Sequence, residues 1–125
     1  MPAEPRFNLQ TTSSGPDAQV IIRGELDLAS AAALAQALTG LCDSIRGGLI
    51  LHMGEVKFID CACARIIARA ARTWPSPGRV VIRDPSPIVR RVFQLTGLAD
   101  PESLTLLTEI AAPPATLTGS PAGIR

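Results

Sequence analysis

Tyrosine is absent from this chain, Trp occurs once, and aromatic residues make up only 3% of it. A stacking surface for single-stranded nucleic acid or for sugars needs several exposed rings, so this scarcity argues against both. Charge of one sign is equally lacking. Twelve basic residues against eleven acidic ones leave a net +1, which provides no global field for gathering nucleic acid or anionic lipid. Any charged site is therefore local, and no direct nucleic-acid partner is expected. Cys42, Cys61 and Cys63 form an odd set without CxxC spacing, which argues against a disulfide framework and against a metal site. No apolar stretch approaches the length of a bilayer span, the richest being broken by Arg65, Arg69 and Arg72. The opening residues Met1 to Arg6 lack a basic start followed by an apolar run, so a cytoplasmic, soluble protein without membrane insertion is expected.

What the chain does have is apolar substance. Of 125 residues, 46% are hydrophobic and 18% charged, with a mean hydropathy of +0.26. Size scaling buries roughly 66% of the extended-chain surface at this length, enough for one compact domain with a real core.

The eleven prolines punctuate the periodic segments without interrupting them. Phe7, Leu9 and Thr11 alternate with polar neighbours, Ser13 to Asp17 supply turn chemistry, and Val20-Ile21-Ile22 follow. This predicts an antiparallel opening strand pair. Asp27 or Ser30 then caps a helix whose stripe is Leu34, Leu38, Leu41 and Ile45, ended by Gly47-Gly48. Leu49 to Met53 reads as a short buried strand interrupted by the single His52, and Val56, Phe58 and Ile59 as a link. Asp60 precedes a second helix from about Ala62 to Trp74, with Cys63, Ile67, Ala70 and Trp74 on its inner side. Arg65, Arg69 and Arg72 form a stripe on the opposite side. Arg79 to Ile82 is a further strand; Ser86 and Pro87 start a third helix that runs to Gly97, with Ile88, Val92 and Leu95 inward and Arg90 and Arg91 outward. Leu104 to Leu107 adds a last strand, and the segment 111–125, rich in Pro, Gly and Thr, reads as a flexible tail beyond a domain spanning 6–110.

Strands alternating with helices predict an α/β fold: a single open mixed sheet of about four to five strands with helices packed on it. Sites on such sheets gather beyond the carboxyl ends of the strands, which singles out the turn at Asp60 and Cys61.

Three segments together resemble the STAS family of the anti-sigma factor antagonist type: Gly24-Glu25-Leu26-Asp27 before a helix, Phe58-Ile59-Asp60 before a second, and Val89 to Leu98 late in the chain. The resemblance implies a non-enzymatic protein-binding module, without cofactor, that engages an anti-sigma factor or an anti-sigma-like serine kinase domain and so regulates a sigma factor. It also implies a phosphoacceptor serine directly after Asp60. Here that position is Cys61, followed by Ala62 where a second hydroxyl is usual and by Cys63 where glycine is usual. His52 departs as well, standing where an acidic residue is common. Neither Cys61 nor Ala62 accepts phosphate from a serine kinase, so conventional phosphoregulation is not expected. The partner surface implied is Glu25, Asp27, Asp60, Cys61, Ala62, Arg65 and Arg69.

Each of these residues also has a plainer reading. Asp60 fits a helix cap as well as a partner contact. Cys61 fits a tolerated small residue, or a thiolate favoured by helix amides though opposed by the Asp60 charge. The arginine stripe fits a solvated face or an electrostatic surface. Cys61, Cys63 and His52 are too few for a metal, and Glu25 and Asp27 lack a His or nucleophile for acid-base work. Two other functions remain open: an accessory subunit of a membrane transport ATPase, a role STAS modules also take without phosphorylation, and a thiol redox sensor through Cys61.

Overall fold

The computed structural model describes residues 7–100 and 102–107. The chain opens with the expected hairpin: β1 (Phe7–Ser14) and β2 (Asp17–Leu26) pair antiparallel, Ser14 opposite Asp17. Gly15 and Pro16 link them, and Gly15 has φ +68°. Primed hairpin turns put a positive φ at the first central position, which glycine adopts without steric cost.

From there strands and helices alternate: α1 (Leu28–Ser44), β3 (Leu49–Ile59), α2 (Cys61–Arg72), β4 (Val80–Arg83), α3 (Pro87–Thr96) and β5 (Leu104–Leu107). The five strands lie side by side in sequence order, parallel from β2 onward. Right-handed crossovers repeated in one direction place every helix on one face of the sheet. Burial follows the period of two: Val20, Ile22, Leu49, Leu51, Val80 and Ile82 are buried, while Ile21, Ile50, His52 and Val81 between them are half-exposed. The result is a small α/β domain with a five-stranded mixed sheet. Among the described residues no helix is long and apolar enough to cross a membrane.

Several boundaries correct the sequence reading. The third strand does not stop at Met53; it runs through the supposed link to Ile59. The long β2 still offers ladder partners there, Glu25 opposite Phe58 and Leu26 opposite Ile59, and two register shifts absorb the broken alternation. Helix α1 ends at Ser44, with Ile45 extended and its N–H donated to the Leu41 carbonyl. Leu34 and Leu38 fill the core, and Leu41 and Ile45 sit at its margin. Gly47-Gly48 permits close approach instead of ending the helix: a Cβ on Gly48 would lie 2.7 Å from the Arg79 carbonyl oxygen.

Trp74 lies beyond α2, buried, its indole N–H donated to the Gly47 carbonyl at 2.9 Å. Ala70 is only half-buried, while Ala64, Ala68 and Ala71 go deeper. Helix α3 starts at Pro87 and stops at Gly97 (φ +66°) as expected, yet Val89 and Phe93 enter the core and Leu95 is 73% exposed. Ser86 sets this rotation. Its hydroxyl donates to the Val56 carbonyl at 2.7 Å and its N–H to that of Met53 at 3.1 Å, so the helix is pinned to β3 by its first turn. Arg91 is exposed, and Arg90 half-buried. The end of the domain at residue 110 and the tail 111–125 lie outside the described residues.

Candidate functional site

At the carboxyl edge of the parallel strands, β2 and β3 each hand over to a helix through one aspartate. Asp27 caps α1, its carboxylate accepting from the Ser30 N–H at 3.2 Å. The buried Ser30 hydroxyl lies 3.2 Å from both that carboxylate and the Glu25 carbonyl oxygen. Asp60 caps α2, accepting from the Cys63 N–H at 2.8 Å. Both caps satisfy helix amides that would otherwise lack a partner.

The two turns are also joined to each other. The Asp60 N–H donates to the Leu26 carbonyl at 3.0 Å, and the Cys63 thiol to the Asp27 carbonyl at 3.4 Å. Burial pushes the Cys63 thiol up to about 12, reinforced by the hydrogen bond and charge of Asp60 and then by the charge of Asp27. Cys63 therefore stays protonated near neutral pH and keeps its donor role.

Of the residues singled out from the sequence, the fold gathers Glu25, Asp27, Asp60, Cys61 and Ala62 at this edge. Cys61 is exposed as the first residue of α2, and Ala62 is half-buried. Arg65 is exposed one turn along the helix; Arg69, eight residues after Cys61, lies about 12 Å further down the axis. Arg69 lines a groove between α1 and α2 instead of the turn. Cys61, Cys63 and His52 do not converge: His52 faces the uncovered side of the sheet, its Nε2 2.9 Å from the Gln19 Oε1.

Sequence reasoning missed two apolar members of this edge. Leu28, directly after Asp27, is 76% exposed, and Phe58, opposite Glu25 in the ladder, is 44% exposed. Large exposed apolar side chains beside polar ones are the usual makeup of a protein-binding patch. The available signal was that Leu28, six residues before Leu34 and ten before Leu38, lies roughly 80 to 120° around the helix from that stripe at 100° per residue. The edge can thus present a fixed surface of carboxylates, a small thiol and two apolar side chains.

Residues 9–108 match the family model described as "Mlab, STAS domain". Among solved structures, an anti-sigma factor antagonist from Mycobacterium paratuberculosis is 22% identical with a TM-score of 0.71, the match covering 79% of this chain and 85% of that one. The anti-sigma factor antagonist SpoIIAA in its unphosphorylated form is 23% identical with a TM-score of 0.64, covering 83% and 91%. The phosphorylated form of SpoIIAA, a Bacillus cell fate determinant, is 20% identical with a TM-score of 0.62, covering 83% and 95%. At these identities the likeness is one of fold. No curated protein matches the sequence.

Proposed function

The chain belongs to the STAS domain family, and from that premise we propose that it is a non-enzymatic protein-binding module that engages an anti-sigma factor or related serine kinase domain without a phosphorylation switch. One observation carries this reading: Cys61 is exposed at the N-terminus of α2, between the Asp60 cap and the tied-down Asp27 turn. A surface with both its loops fixed has little ordering entropy left to lose on binding, which favours a pre-formed docking face. Leu28 and Phe58 supply its apolar contacts, and Glu25, Asp27 and Asp60 its polar ones. Position 61 offers a thiol in place of the hydroxyl that a serine kinase phosphorylates, which supports a face kept in its unphosphorylated form.

Affinity capture from extracts of the source cell, with the intact chain as bait, tests this. Recovery of an anti-sigma factor or a kinase-like protein is expected, and repeated captures without either overturn the reading. A second reading, an accessory subunit of a membrane transport ATPase, is favoured by the missing hydroxyl at positions 61 and 62. Co-purification of a nucleotide-binding transport subunit decides in its favour.

A further inference from the structure

A cavity of about 340 Å³ lies between α1 and α2, away from the Asp27–Asp60 edge. Its walls repeat at helical spacing: Ala35, Leu38 and Cys42 from one helix, Ile66 and Ala70 from the other. Leu38 is buried and the other four are half-buried, so the floor is apolar and open to solvent. The groove is about two helical turns long, roughly 10 Å at 1.5 Å per residue. That length matches one face of another helix presenting residues at i, i+4 and i+7.

The banks carry unlike charge. Arg69 lines the α2 bank, and Arg65 and Arg72, one turn above it and just below, extend the same exposed stripe. Among the described residues none of these three guanidiniums has a side-chain ion pair. Asp43 lies on the opposite, α1 bank. Three cations over the eight residues from Arg65 to Arg72 reach further than one small anionic headgroup can use, which favours an extended acidic segment over a free amphiphile.

We propose that the α1/α2 groove is a second docking surface, taking an amphipathic helix of a partner protein whose apolar stripe enters the groove and whose acidic flank faces Arg65, Arg69 and Arg72. Asp43 orients the segment by repelling an acidic flank on the α1 side. The proposal rests on the reading of the chain as a protein-binding module, and it adds where and by what chemistry a further contact is made. The groove floor on α2 begins at Ile66, more than one turn along the helix from Cys61.

The probe is a short stapled helical peptide with leucines at i, i+4 and i+7 and glutamates along one flank; a twin carries lysines in place of the glutamates. Fluorescence anisotropy gives the affinities, and amide chemical shifts locate the site. The glutamate peptide is expected to bind, to weaken with rising salt, to move the signals of Leu38, Cys42, Ile66 and Ala70, and to bind Arg69→Glu about tenfold less well, as a reversed charge contact requires. The lysine peptide is expected to bind the intact chain at least about tenfold less well than its twin. Equal affinity for both peptides, no binding of either, or shifts elsewhere overturn the proposal. Dodecanoate forms a separate arm: if it moves the groove signals and the glutamate peptide does not, the site is for small amphiphiles and the proposal fails. Shifts of Leu38, Cys42, Ile66 and Ala70 report on the groove floor and partner capture reports on the Cys61 face, so failure here leaves the proposed function standing, and failed partner capture leaves the groove assay intact.

Discussion

The thiol of Cys63 donates to the main-chain carbonyl of Asp27 across 36 residues of sequence, at 3.4 Å. Through that contact the turn before α1 and the turn before α2 become one unit. Cys63 itself is fully buried, and its backbone N–H is held by Asp60.

The raised pKa of Cys63 makes stability sensitive to alkali. In the unfolded chain the thiol ionises near its ordinary value of 9.0, whereas in the folded chain it holds its proton to about 12. Between those values the unfolded state binds fewer protons, so stability falls as pH rises, by at most about 1.4 kcal/mol per pH unit. Below pH 9 this contribution is fully present. Urea unfolding from pH 8 to 11 is expected to show a steeper decline for the intact chain than for Cys63→Ala. The remaining groups, Cys42, Cys61 and Lys57 among them, are common to both proteins and drop out of the comparison; parallel declines in the two proteins refute the assignment.

Cys61 offers the direct test of the docking face. Cys61→Ser is expected to keep partner affinity within a few-fold, because the two side chains are nearly the same size and shape. Cys61→Asp adds a charge beside Asp60 and is expected to weaken binding by about 1 to 3 kcal/mol. Titration calorimetry with the captured partner reads both. Equal affinities place this turn outside the interface.

Asp60 can be dissected by its two chemical properties. Asp60→Ala removes the carboxylate that accepts from Cys63 N–H and is expected to cost about 0.5 to 2 kcal/mol of stability. Asp60→Asn keeps an acceptor and is expected to retain most of that stability while losing the charge offered to a partner. If chemical denaturation ranks Asn with Ala, the cap is not what Asp60 contributes.

Core position separates two leucines that share a sequence stripe. Leu38 is 2% exposed, and Leu38→Ala is expected to cost about 2 to 5 kcal/mol through lost burial and a residual cavity. Leu41, half-buried at the margin, is expected to cost clearly less. Arg69→Ala, on the exposed side, falls within about 0.5 kcal/mol. A reversed order of the two leucines in urea midpoints contradicts the packing described above.

Local chemistry determined a great deal of this protein from sequence alone. The hairpin at Gly15-Pro16, the caps at Asp27 and Asp60, the Pro87 start and Gly97 stop of α3, and the exposed arginine stripe all follow from φ preferences, amide capping and periodicity within a few residues. Such signals act over one or two turns of chain and are therefore legible without a fold. The rotational phase of each helix was decided only in three dimensions: Leu38 over Leu41, and Val89 and Phe93 over Leu95, because α3 is fixed by the bond from Ser86 to Val56 in another element. The length of β3 was likewise set by its neighbour β2, whose unpaired edge offered ladder hydrogen bonds beyond the point where alternation fails. The site shows both limits. Asp27 and Asp60 were recognisable one by one, but their joining through Cys63 and the exposure of Leu28 and Phe58 depend on which strands lie side by side, and no local pattern encodes that adjacency.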